Sequence, residues 1–155
     1  MDSLPTARAY ALGLLKFRPR SESEFQQRLT QKGFGQATVE ALVDEFKRKG
    51  FLNDEKFAKF IATSRMLSKP VARRALLAEL KAKGVASHLA TQAVEKATSG
   101  TEELEVVRQL ALTRAAHLKG LEPSVAQRRL FGFLSRRGFS SDVVVKVVRE
   151  VAREQ

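Results

Sequence analysis

The side chains with most chemistry to offer in this sequence are its cations. Arg18 and Arg20, Arg28 and Lys32, Lys69, Arg73 and Arg74, Lys81 and Lys83, Arg128 and Arg129, and Arg136 and Arg137 recur at short or helical intervals. Arg74 and Lys81 lie two turns apart, as do Arg129 and Arg136, a spacing that returns to the same face of a helix. Recurrent positive charge on one face suits a polyanion or an acidic protein surface. The whole chain shares the bias: 28 Lys and Arg oppose 17 Asp and Glu among 155 residues, for a net charge of +11. That exceeds the ~2–8 usual for a small soluble domain, and the excess is spread along the chain instead of sitting in a tail.

Other chemistries are poorly supplied. Without cysteine there is no disulfide, zinc thiolate or cysteine nucleophile, which fits a reducing compartment. His88 and His117 lie far apart and lack metal-ligand spacing, so no metal is expected. There is no glycine-rich phosphate loop and no nucleophile elbow. Asp54 with Glu55, and Glu102 with Glu103 and Glu105, read as first-turn acids that complement helix dipoles. No catalytic residue, cofactor or enzymatic activity is expected. The start of the chain lacks a basic region followed by an apolar core, and no apolar run approaches the ~20 residues of a membrane span. A cytoplasmic protein, monomeric and not membrane-bound, is expected. Aromatic residues do not interleave with the recurrent cations named above, so stacking on unpaired bases is not expected.

The elements that must hold the cations are helices. Lys69 to Val85 reads as one short helix, with Pro70 at its first position and Gly84 in the left-handed position past its end. Leu76, Leu77 and Leu80 share one side. Its ending recurs: Leu29 to Phe34, Leu80 to Val85 and Leu134 to Phe139 each run leucine, two residues, a base, glycine, an apolar residue. The glycines, Gly33, Gly84 and Gly138, stand about 50 residues apart, so one unit is written three times.

Each unit reads as three helices. In the first, Tyr10, Ala11, Leu12, Leu14 and Leu15 form a stripe; Ser21 with Glu24 is a capping box before Phe25 and Leu29; Val39, Leu42, Val43 and Phe46 mark the third helix, ended by Gly50. In the second, Asn53 caps a helix with Phe57, Phe60, Ile61, Met66 and Leu67 inward. The Lys69–Val85 helix follows, then a weak one with Leu89, Ala93 and Val94. Ser99-Gly100-Thr101 reads as the joint to the third unit, whose helices carry Leu104, Val107, Leu110, Ala111 and Leu118, then Leu130, Phe131 and Leu134 after Pro123, then the valines from Val143. The valine run has strand propensity, but positions 143, 144, 147, 148 and 151 fit a helical period, and it follows Gly138 as Val39 to Phe46 follow Gly33. The expectation is an all-α chain with no sheet: an elongated array of three tandem three-helix repeats, 1–50, 51–98 and 99–155, whose middle helices align their bases in a stripe.

At these residues the sequence resembles the RecX family, regulatory proteins that modulate the RecA recombinase. The resemblance rests on Ala9-Tyr10-Ala11-Leu12, on Phe17 to Glu22 with Glu24, on Leu29 to Phe34, on Gly50 to Asp54 with Phe57-Ala58, and on Glu79 to Val85. It is close over about the first 97 residues and extends through the repeat. It implies tandem three-helix repeats that bind RecA–single-stranded-DNA filaments in the helical groove, across neighbouring protomers. It also implies inhibition of ATP hydrolysis, strand exchange and coprotease activity, and thereby modulation of recombinational DNA repair and the SOS response. The third repeat departs most, with Pro123 one position off the offset of Pro19 and Pro70, and Gly132 inside its middle helix. The residues by themselves also fit a sequence-nonspecific, helix-turn-helix-like DNA binder acting alone. Weak, nonspecific binding to single-stranded or duplex DNA is expected in either case.

Overall fold

The computed structural model describes residues 3–99 and 102–154; Gly100 and Thr101, expected at the joint, lie outside the described residues. Among the described residues there are nine α-helices and no strand: α1 (Leu4–Phe17), α2 (Glu22–Lys32), α3 (Gln36–Arg48), α4 (Asp54–Ser68), α5 (Arg73–Ala82), α6 (Ser87–Thr98), α7 (Glu103–Ala116), α8 (Pro123–Arg136) and α9 (Ser141–Glu154). None of them is long and apolar enough to cross a membrane.

The recurring leucine–glycine–apolar signature is a helix stop. At the end of α2, Gly33 takes φ +106°. Its N–H donates to Thr30 O, while the Phe34 N–H reaches back to Leu29 O. This is the Schellman arrangement, which satisfies the last carbonyls of the helix and brings the flanking apolar pair together. At the end of α5, Gly84 has φ +85° and the Val85 N–H donates to Leu80 O. Gly138 follows α8 with φ +89°. The apolar partners Leu29, Phe34, Leu80, Val85, Leu134 and Phe139 are all buried.

The chain divides into two compact units. The first runs through Ala62 and includes Leu77–Ala93; the second comprises Thr63–Leu76 and the chain from Val94 onward. In the first, α1, α2 and α3 pack pairwise around Ala7, Ala11, Leu14, Phe25, Leu29, Val39, Leu42 and Phe46. Phe25 and Phe46 are tilted rings 5.2 Å apart. Arg8 on α1 grips Glu45 on α3 with two hydrogen bonds, 2.8 and 2.9 Å. In the second unit, α7, α8 and α9 pack pairwise around Val107, Ala111, Leu130, Leu134, Val144, Val147 and Val151, joined by Ala72. The valine run is helical, and its 3.6-residue period places four valines of α9 in the core.

Several expected positions move. Pro70 does not open α5, which starts at Arg73. The preceding backbone is drawn into other bonds: the Ala72 N–H donates to Arg137 O, and Pro70 O accepts from Arg137. Lys69 and Lys83 therefore flank α5 and do not belong to it, and Arg137 is the residue capping α8. Pro123 does open its helix. On α4 the buried residues are Phe57, Ala58 and Ala62, while Phe60 and Leu67 are exposed. The small alanines permit close packing on that face, and the larger residues are left on the rim. Likewise Ala7, Ala11 and Leu14 line the inner face of α1 and Leu12 is exposed, and Ala90 replaces Leu89 in the core of α6; on α8, Leu130 and Leu134 take the inner face and Phe131 is exposed. Leu118 is buried but lies beyond α7.

Candidate binding surface

The expected cations fall into two groups: those tied into the fold and those left open. In the first unit the ties gather at the start of α2. Ser21 is fully buried. Its Oγ accepts from the Glu24 N–H at 3.1 Å and donates to Lys83 O at 2.5 Å, so both its hydrogen-bonding capacities are used. The Glu24 carboxylate receives the Ser21 N–H, completing the capping box, and also meets Arg18 at 3.1 Å and Lys83 at 3.9 Å. Burial alone would raise the Glu24 pKa. The Arg18 and Ser21 hydrogen bonds, with the charges of Arg18 and Lys83, outweigh it and hold the carboxyl below its ordinary value. Arg20 is buried, its Nε donating to Leu14 O at 3.3 Å. Desolvation, then the charges of Arg18 and Arg28, lower its pKa.

The second unit repeats this junction with different chemistry. The start of α5 meets the end of α8: Arg74 Nε donates to Gly138 O at 2.5 Å, and Arg137 Nη1 donates to Pro70 O at 2.8 Å. Arg137 also lies over the Phe133 ring, 4.8 Å from its centroid, a cation–π contact shared with Arg114 at 5.0 Å. Ala72, two residues after Pro70, takes the place that Ser21 takes after Pro19. A backbone N–H there does what the Ser21 hydroxyl does in the first unit, reaching the carbonyl that precedes the glycine.

Both junctions need glycine. A Cβ on Gly84 would stand 2.3 Å from Ser23 Cβ, and one on Gly138 would stand 3.0 Å from Ala75 Cβ. Gly33 has open space around it.

The open cations are Arg28 and Lys81 in the first unit, and Lys69, Arg73, Arg128, Arg129 and Arg136 in the second. All are exposed, and none pairs with a carboxylate among the described residues. Lys32 is exposed too, 5.3 Å from the centroid of the Tyr10 ring. These are the side chains free to meet an external anion. Among the described residues no group of three or more His, Asp or Glu is placed to hold a metal.

Sequence reasoning missed the aromatics. Phe17, Phe51 and Phe60 of the first unit are 80%, 52% and 51% exposed. The expectation on aromatics covered only the cations of the stripe; the turn at Gly50 places Phe51 beside Phe60 and a further lysine, Lys56, in one cleft. The available signal was Lys47-Arg48-Lys49-Gly50-Phe51, a basic run leading directly into an aromatic.

Comparison with known proteins gives a consistent result. Models of the first, second and third three-helix domains of RecX match residues 7–46, 53–94 and 101–148. The chain is 36% identical over 148 residues to the regulatory protein RecX of Amycolatopsis mediterranei, covering 96% of this chain and 84% of that one. It is 36% identical over 149 residues to the regulatory protein RecX of Thermobifida fusca, covering 96% and 80%. The crystal structure of RecX from Lactobacillus salivarius superposes with a TM-score of 0.74 at 17% identity, covering 95% of both chains. At that identity the superposition shows the shared fold.

Proposed function

Because the chain belongs to the RecX family, we propose that it is a non-catalytic regulator that binds RecA–single-stranded-DNA filaments. In this reading it inhibits RecA ATP hydrolysis, strand exchange and coprotease activity, and so modulates recombinational DNA repair and the SOS response from the cytoplasm. The observation that carries the reading is the ordered match of all three RecX three-helix domains along the chain. Repeats at 1–50, 51–98 and 99–155 are the division we assign to it, acting as a monomer. The open cations of each unit would supply the contacts, to phosphates of the bound strand or to acidic RecA side chains. Arg74, Arg137, Arg18, Arg20 and Lys83 would serve mainly to hold the fold.

The test is single-stranded-DNA-dependent ATP hydrolysis by RecA, measured with increasing amounts of the protein, alongside co-sedimentation with the filaments at physiological salt. Dose-dependent loss of hydrolysis with co-sedimentation is expected. Full hydrolysis with no protein in the pellet would overturn the reading.

A further inference from the structure

The first unit exposes three aromatic rings, Phe17, Phe51 and Phe60. Phe51 follows the left-handed Gly50 and meets the buried Phe46 edge-on, with ring centroids 5.6 Å apart. Phe60 projects from α4, one turn beyond Lys56 and beside Lys59. With Pro19, Arg20 and the buried Phe57 they bound a cleft of about 230 Å³. Lys56 lies in its wall, and Lys59, the residue before Phe60 in sequence, is exposed. Neither lysine pairs with a carboxylate among the described residues. Arg48, just before the turn, is likewise exposed and unpaired. Of the nearby acids, Asp54 accepts the Glu22 N–H at 2.8 Å, and Glu55 is exposed in the first turn of α4.

We propose that this cleft is a base-stacking site for single-stranded nucleic acid. An unpaired base would lie against Phe51 and Phe60, with Lys56 and Lys59 on the flanking phosphates. Two features favour this occupant over an apolar side chain of a protein. The lining includes three phenylalanines, Phe51, Phe57 and Phe60, and every base offers a π face to such rings. The free side chains at the rim include lysines, which complement a polyanion. A duplex keeps its bases stacked internally and cannot enter. The site needs only naked strand, so it stands or falls independently of the filament reading.

The experiment measures binding of fluorescein-labelled oligothymidylate and of an abasic deoxyribose-phosphate oligomer of equal length, at one salt concentration. The two carry the same phosphates and differ only in bases. Wild type should prefer oligothymidylate by roughly 5- to 150-fold, the range of one stacked base. Phe60→Ala should remove most of that preference without changing abasic binding. Phe60→Trp should restore it, and its indole emission should be quenched by oligothymidylate and not by the abasic oligomer. Lys56→Ala should weaken both oligomers alike and flatten the salt dependence. Equal wild-type affinity for the two oligomers overturns the proposal whatever the variants do. So does a Phe60→Ala chain that loses RecA filaments but keeps naked oligothymidylate, since the cleft would then receive a protein side chain.

Discussion

At the residue scale, identical letters do different work. Gly33, Gly84 and Gly138 share a sequence pattern and a positive φ, and that much was legible because a Schellman stop is local. What stands against each glycine was not legible, because those neighbours are distant in sequence. Gly33→Ala meets only the left-handed penalty and should cost about 1 kcal/mol. Gly84→Ala also forces a Cβ against Ser23 Cβ, an atom with nowhere to swing, and overpacking adds ~1–3 kcal/mol. Urea denaturation of the two variants should show Gly84→Ala as clearly the worse; equal losses would mean that the α2–α5 junction is loose. Glu45 gives a pH-dependent test. Hydrogen bonding from Arg8, with Lys49 assisting, outweighs desolvation and lowers its carboxyl from 4.5 to about 2. A depressed carboxyl contributes stability above its unfolded pKa and loses it as pH falls through the folded one. Glu45→Gln should therefore lower Tm at pH 7, and the gap to wild type should close between about pH 4.5 and 2. A gap that is constant down to pH 2 would rule out the ion pair as its source.

At the scale of elements, the helices were legible from apolar period and caps, and the ties between them were not. The Ser21–Glu24 box is written within four residues and was found. The second use of the Ser21 hydroxyl, on Lys83 O, crosses 62 positions and leaves no pattern. The same holds for Arg74 and Gly138, 64 apart. Sequence reasoning grouped Arg73 with Arg74 as neighbouring surface cations, but one is open and the other holds α5 to the end of α8. Their alanine variants should separate accordingly. Arg74→Ala should cost about 1 kcal/mol in thermal or urea unfolding, the order of one exposed charge-assisted hydrogen bond. Arg73→Ala should stay within ~0.5 kcal/mol of wild type, yet flatten the dependence of DNA affinity on salt, since each lost phosphate contact takes about 0.7 from the log–log slope on single strands. If Arg73→Ala unfolds the protein more readily than Arg74→Ala, the division into ties and open cations is wrong. Phe60 and Leu67 were assigned to the core because their spacing on α4 is helical. Period says which residues share a face, and the packing of Ala58 and Ala62 decides which face is inside.

At the scale of the molecule, the threefold pattern and the motifs from Tyr10 to Val85 were enough to point to the RecX family. They could not show which cations stay open, because that depends on where Glu24, Gly138 O and Leu14 O come to lie. Each of the two compact units carries open cations of its own. If both engage a filament, the second contact is intramolecular and acts at an effective concentration of about mM, so affinity for an assembled array exceeds that for a single RecA protomer. The most direct test compares wild type with two double variants, Arg28→Ala/Lys81→Ala in the first unit and Arg128→Ala/Arg129→Ala in the second. Binding is measured to RecA–single-stranded-DNA filaments and to an assembly-deficient RecA. The account predicts wild type at least ~10-fold tighter on filaments, with each double variant losing most of that advantage while melting like wild type. Equal wild-type affinity for filament and protomer, or double variants that bind filaments undiminished, would contradict it.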